Sequence, residues 1–555
     1  MNRSKLELQI PRAALLALCG WLVVSFVYVV VQRFRYPVEL EWMGGGILDH
    51  VERVRRGESL YVAPSERFVP FLYPPLYYWT SALFARFMSV LVACRAVSIA
   101  ATAANALLVW ALARQLGASR LWSAVAVGIF FGAYSLTGYW YDIERCDSLA
   151  TTIVLFGAFA WARLRDRGGA VWAGALFAFA FLAKQQSLAF VVWPAAALAF
   201  TRQWKVLGRF AAGAALGGAP AIVYALVNPW FWRYCVSMPA RHGVDLDLVT
   251  GLLVDDFGKG FLLFGVTVVV LGTWAAAMWR ARRGGAQDDV VPGAVLFAVF
   301  VSAVTSRLHV GGWSNVLIGW VAFACVAAAV VLDRAERTLS AAGFPLAGPL
   351  GAMLLAATQL MHLAYDPKPA CPDAQRVVDA RLFEDAVRKW EARGDVIVPG
   401  RGHVTAHEHF HAMALMDILR GGAPLPADFV QALEGRKYAA YVVDEFGELT
   451  LEAIIGRRSE LFALLERNYF IARRLDDRER PPVVGWIAHP SWVFFPRKQP
   501  LGPIGDAALE RRMRLEMGVA EARMRQVQAG LPPGDEDDVV EEQAAALDTP
   551  RQDAP

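Results

Sequence analysis

About eleven runs of mostly apolar residues, each near the length of a membrane span, crowd into residues 13–363, and nothing comparable follows them. They lie at roughly 13–32, 94–113, 121–138, 148–161, 168–183, 187–200, 210–227, 261–279, 291–307, 315–332 and 344–362. About 20 apolar residues in a helix cross the hydrocarbon core of a bilayer, and lipid tolerates only backbone whose polar groups are satisfied internally. The expected fold class is therefore a polytopic α-helical membrane protein. After residue 363 the pattern becomes that of a small soluble α/β domain. Composition agrees: 56% of the 555 residues are apolar without counting glycine, and only 19% are charged. Soluble chains reach about 45–50% with glycine included. A disordered chain, a disulfide scaffold and an ordinary cytosolic enzyme are excluded.

A net charge of +4, with no basic run interleaved with aromatics, argues against nucleic acid as a partner. Six scattered cysteines without CxxC spacing read as small apolar residues in or near helices. The first apolar run continues into Gln32-Arg33-Phe34-Arg35 with no small-residue cleavage site, which reads as an uncleaved first span.

With the N-terminus in the cytoplasm, the loops assigned to that side hold 16 Lys and Arg in about 55 residues. The short loops on the other side hold 6 in about 54. That asymmetry selects this orientation over its inverse and sends the C-terminal domain outside. Residues 168–200 read as a hairpin around Lys184-Gln185-Gln186. Tyr73–Ala93, opened by Pro74-Pro75, reads as a helix lying in or dipping into the interface. Gly46–Gly57 is amphipathic, with Ile47, Leu48, Val51 and Val54 on one face, and is expected to press on the membrane. The expected division is 1–363 with an outer loop at 33–93, then a soluble 364–500, then a charged helix and an acidic disordered tail over 501–555.

Ionisable residues near spans are costly and usually functional. Glu39, Glu41, Arg95, Asp142, Glu144, Arg145, Asp147, Lys184, Arg241, His242, Arg307, His309 and Asn315 all fall on the outer face of this topology. A transporter would gather them near the midplane, and no inverted repeat is visible. A reaction centre open to the outside is expected instead. Glu39 and Glu41 read either as a solvated loop start or as a general base held at the bilayer surface. Asp142 and Asp147 read as a polar helix cap, or as ligands for a divalent cation such as Mg, Mn or Ca, or for sugar hydroxyls. Lys184 reads as a snorkelling side chain or as a phosphate contact.

Several motifs in order carry a resemblance: Pro37-Val38-Glu39-Leu40-Glu41-Trp42, Gly57-Glu58-Ser59-Leu60-Tyr61, Tyr73-Pro74-Pro75-Leu76-Tyr77-Tyr78 and Arg95. Glu144-Arg145-Cys146-Asp147-Ser148-Leu149-Ala150, Lys184-Gln185-Gln186 and His309-Val310-Gly311-Gly312-Trp313-Ser314-Asn315 follow. The set resembles GT-C superfamily glycosyltransferases, within them the bacterial family-39-like enzymes related to protein O-mannosyltransferases and aminoarabinose transferases. The similarity covers roughly residues 13–335. It implies a bacterial inner-membrane enzyme using a polyprenyl-phosphate sugar donor, with inversion and an acidic pair in the first outer loop. The acceptor would be a lipid, glycan or protein, with membrane lipids around the enzyme. The family's pair is usually Asp-Glu or Asp-x-Asp where this chain has Glu-x-Glu. Its spacing points to Glu41 rather than Glu39 as the base. Arg95, Arg145, Lys184, Gln185, His309, Asn315 and Tyr73 are the expected donor contacts, and Asp142 and Asp147 the expected metal or sugar ligands. A transporter or lipid flippase is the alternative class.

In the C-terminal region, Asp395–Val398, Tyr438–Val443 and Tyr469–Ile471 read as strands, and Phe383–Ala392 and Phe410–Leu419 as helices. His407-Glu408-His409-Phe410-His411 matches H-E-x-x-H, and on a helix His407 and His411 would share a face, as a zinc protease requires. The extended protease motif fails at Ala414.

Overall fold

The computed structural model describes residues 7–165, 167–284, 289–444, 460–476, 489–502 and 506–529. The acidic run Asp535–Glu542, expected as a disordered tail, lies outside them, as do Arg3 and Lys5. The chain packs as two units. Residues up to Arg35 join Tyr73–Cys371, and Tyr36–Leu72 joins the part from Pro372 onward. This grouping differs from the division expected from sequence, because the outer-loop segment packs with the C-terminal part rather than counting with the membrane helices.

In the first unit every one of the eleven apolar runs is helical. The helices are Gln9–Phe34, Val90–Gln115, Arg120–Gly132, Asp147–Leu164, Gly169–Phe179, Ala189–Phe200, Trp204–Val227, Phe261–Arg282, Val291–Arg307, Ile318–Ala341 and Ala347–Leu363. Among the described residues five are long and apolar enough to cross a membrane, or up to six if the bent pair Ala347–Leu363 and Lys368–Glu391 counts as one span, and Arg120–Gly132, Gly169–Leu182, Gln185–Phe200 and Val291–Arg307 are shorter apolar helices. Ile318–Ala341 sits centrally, packed against six neighbouring α-helices. Gly174, Gly213 and Gly217 let Gly169–Phe179 and Trp204–Val227 meet backbone to backbone. A Cβ on Gly213 would strike the carbonyl of Val171, and one on Gly217 that of Ala175. Small residues spaced four apart are the usual device for such close approach in lipid. Lys184 stands extended at the break between Gly169–Leu182 and Gln185–Phe200. Leu76–Phe84 is nine residues long, about 13 Å, far short of a span.

The second unit is built on a four-stranded sheet of order β1-β2-β4-β3, with β1 Val396–Ile397, β2 Ala440–Asp444, β3 Tyr469–Arg474 and β4 Pro490–Pro496. β1 runs parallel to β2, and β4 is antiparallel to both neighbours. On one face Val442, Val493, Phe495 and Phe470 pack with Phe383, Val387 and Trp390 of helix Ala374–Glu391. Helix Asp506–Gln528, expected outside the soluble domain, is part of it. Its Glu516 is buried and accepts from Arg497, Arg512 and the Ile471 amide. Helix Gly44–Arg55 forms as its amphipathic pattern requires, but its apolar side is not offered to a bilayer. Ile47, Leu48 and Val51 are buried, and the helix packs on the turn Gly402–Val404.

Candidate active site

In the first unit the polar residues at the ends of the helices form three clusters. Arg33, in the last turn of Gln9–Phe34, is 1% exposed. It donates to the Ala370 carbonyl (2.7 Å), the Tyr134 hydroxyl (2.6 Å), the Tyr139 carbonyl (3.0 Å) and Asp142 Oδ1 (3.1 Å). Tyr134 also donates to Asp142 Oδ1 at 2.5 Å. Arg95 is fully buried, donating to Glu144 Oε1 (2.5 Å) and to the Arg33 carbonyl (2.8 Å). Both guanidinium groups are thus committed to the frame that holds residues 139–146. Arg95 makes frame contacts rather than lining the cleft described below. Arg33 carried no signal in the sequence beyond its place at the end of an apolar run.

The third cluster is open to a ligand. Asp147 starts helix Asp147–Leu164, and its Oδ1 accepts from Lys184 Nζ at 2.6 Å and from Asn315 Nδ2 at 2.9 Å. These three residues were separated by up to 168 positions in sequence. They stand at a cleft whose other walls are largely apolar, including Val154, Phe190, Val299 and Phe323. Gln186 lines it and bonds to Ser306. Among the described residues, Arg95, Arg145, Gln185 and His309 do not line it. Arg145 lies over the rings of Trp140 and Tyr73 (4.6 and 5.1 Å to the centroids) and donates to the Tyr73 hydroxyl at 2.8 Å. His309 lies against His242, with ring centroids 5.1 Å apart.

Asp142 and Asp147 are not assembled as metal ligands. Each is neutralised by a cation of the chain, and among the described residues no group of three or more His, Cys, Asp or Glu is placed to hold a metal ion.

In the second unit Glu39 and Glu41 are both 1% exposed, on a stretch without regular structure ahead of helix Gly44–Arg55. Glu39 accepts from Arg401 Nη1 through Oε2 (2.7 Å) and faces His403 Nδ1 through Oε1 (2.5 Å). Gly45 makes this approach possible, because a Cβ there would lie 2.9 Å from both Glu39 Oε1 and His403 Nδ1. Burial draws the His403 imidazole below its ordinary value, against the opposing pull of Glu39.

The H-E-x-x-H match does not form a zinc site. Residues 405–411 are not helical, and the helix begins only at Ala412. His411 donates from Nε2 to the Trp42 carbonyl (3.0 Å) while its Nδ1 caps the helix, accepting from the Met413 amide. His409 Nε2 accepts from the Val398 amide at 3.0 Å. With their ring nitrogens committed to backbone, these histidines cannot be ligands as well, and the membrane zinc protease reading falls.

No protein-family model matches the chain, and no curated protein sequence does. Among solved structures it is similar to ArnT from Cupriavidus metallidurans bound to undecaprenyl phosphate. Identity is 13% and the TM-score 0.51, over 87% of this chain and 99% of that one. The same protein in the apo state gives 13%, a TM-score of 0.52, and 86% and 97% coverage. An oligosaccharyltransferase from Archaeoglobus fulgidus, in complex with Zn and sulfate, aligns at 13% identity and a TM-score of 0.45 over 81% of this chain and 72% of that one. At such identity the ArnT likeness speaks to architecture, and the architecture is the GT-C fold.

Proposed function

We propose that the protein is an integral-membrane glycosyltransferase that moves a sugar from a polyprenyl phosphate to an acceptor on the extracytoplasmic face of a bacterial inner membrane. The N-terminus is cytoplasmic, about eleven helices span, and the sheet domain is outside. The observation that carries this reading is the Asp147–Lys184–Asn315 cluster at an apolar-walled cleft in a chain with the fold of a protein captured with undecaprenyl phosphate. An ammonium has three donors, and Asp147 takes one. The others remain for a phosphate oxygen, while the apolar wall suits a prenyl chain.

In the reaction an acceptor oxygen attacks the anomeric carbon from the face opposite the phosphate. The bond from that carbon to the phosphate oxygen breaks, and its electron pair leaves with the phosphate. Lys184 stabilises the anion as it forms, a fixed positive charge being most useful where charge develops. Glu41 takes the proton of the acceptor hydroxyl. Glu39, paired with Arg401, holds position instead. Asp147 orients Lys184 and Asn315.

The test is release of radiolabelled sugar from its polyprenyl phosphate by the purified protein, followed by thin-layer chromatography. A flippase would return the sugar lipid intact. Loss of a general base costs about 10²–10⁴-fold, so Glu41→Gln should keep donor binding and lose turnover by that factor. Near-wild-type turnover in Glu41→Gln would place the base elsewhere. Mass spectrometry of envelope glycans with and without the protein would then identify the acceptor.

A further inference from the structure

The stretch Tyr36–Met43 has no helix or strand bonds of its own to fix it. The segment Gly400–His411, more than 350 residues later, holds it at two points. Arg401, 2% exposed, donates to Glu39 Oε2, and His403 Nδ1 stands 2.5 Å from Oε1. His411 Nε2 bonds the carbonyl of Trp42. Glu41 lies between these two anchors, one on either side. The tautomer of His411 is settled by its second bond: Nδ1 accepts from Met413, so Nε2 carries the hydrogen that Trp42 receives. Gly45 is the matching concession on the loop side, since any side chain there would wedge Glu39 and His403 apart.

We infer that Arg401, His403 and His411 are positioning residues that set the placement of Glu41, so that the C-terminal segment completes the transfer machinery rather than merely accompanying it. This rests on the transferase reading above. Arg401 pairs with the Glu39 carboxylate, His403 stands against its other oxygen, and His411 holds the backbone at Trp42 on the far side of the base. The charged and titratable groups around Glu39 are Arg401, His403, His411 and Asp49. Of these Arg401 is the permanent cation in direct contact.

The experiment uses full-length Arg401→Met, Arg401→Lys, His403→Asn and Gly45→Ala, each assayed for sugar transfer and for binding of undecaprenyl phosphate. Arg401→Met is expected to lower kcat by about 10²-fold with donor affinity within about twofold of wild type. Arg401 neutralises Glu39 and not the base itself, so the loss should fall on kcat and leave donor affinity alone. Arg401→Lys, which keeps the cation, should recover turnover, and His403→Asn should lose less than Arg401→Met. Gly45→Ala, whose Cβ would press on Glu39 and His403, should lose turnover as Arg401→Met does, without loss of thermal stability. If Arg401→Met and Gly45→Ala lose turnover only in step with the folded fraction, or lose donor affinity as much as kcat, the clamp is structural and the inference is overturned. If the wild type transfers no sugar, the transferase reading itself fails and takes the inference with it.

Discussion

Arg95 separates a structural from a ligand-binding role by energy. Its guanidinium and the Glu144 carboxylate are both fully buried and 2.5 Å apart. Arg95→Met would leave the Glu144 carboxyl in a dry site without that cation, and would strip the Arg33 carbonyl of its 2.8 Å bond. Removing one member of a buried pair costs about 3–5 kcal/mol. In Arg95→Met/Glu144→Gln no net charge is stranded, and about 1–2 kcal/mol should remain for the lost hydrogen bonds. The two substitutions should therefore couple by about 2 kcal/mol or more, a size reached only by residues in contact. Denaturant titration in detergent, followed by tryptophan fluorescence, gives the stability of wild type, both single variants and the double variant. Undecaprenyl phosphate binding is measured on the folded fraction of each. If Arg95→Met unfolds at the wild-type midpoint but no longer binds the lipid phosphate, Arg95 is a donor contact and the frame role assigned to it is wrong.

Acid should loosen the second unit. Burial pushes the imidazoles of His50, His409 and His411 down to about 3, 4 and 4, whereas in an unfolded chain they titrate near about 6.5. The unfolded chain binds more protons below that value, so their stabilising contribution is complete above pH ~6.5 and fades as pH falls towards 4. Fluorescence of Trp42, Trp390 and Trp492 should report a transition in that window, and an unchanged signal down to pH 4 would contradict it. For topology, a phosphatase fused after residue 365 should be active outside the cytoplasm, and a dark fusion there would reverse the orientation.

The helices of the first unit were legible because lipid-facing and lipid-buried positions alike demand apolar residues, so each run announces itself in one dimension. The sheet was partly legible. β4, Pro490-Ser491-Trp492-Val493-Phe494-Phe495-Pro496, escaped because prolines at both ends read as loop, although it lies between β2 and β3. Proline is tolerated there as the first residue of the strand. The site was legible as a set of residue types but not as a set of partners. Asp142, Asp147 and Lys184 looked like ligands because their counter-charges lie far along the chain. Arg33 pairs with Asp142 over 109 positions and Lys184 with Asp147 over 37. Glu39 gave no hint of Arg401, because local pattern carries no information on contacts of such separation. The amphipathic helix Gly44–Arg55 was recognised correctly, but an apolar face does not say what covers it.

The 362-residue interval between Glu39 and Arg401 also sets a clock. At about 5–20 residues per second, a ribosome needs roughly 20–70 s to supply Arg401 once Glu39 has been made. Throughout that time the loop has a carboxylate and an apolar helix face whose partners do not yet exist. Every helix from Leu76–Phe84 to Ala347–Leu363 is synthesised in the interval. The second unit therefore cannot mature in the order of its own sequence. It closes last, after nearly the whole membrane part has been made, and a chain stalled anywhere in between exposes Ile47, Leu48 and Val51 to whatever surveys unfinished proteins.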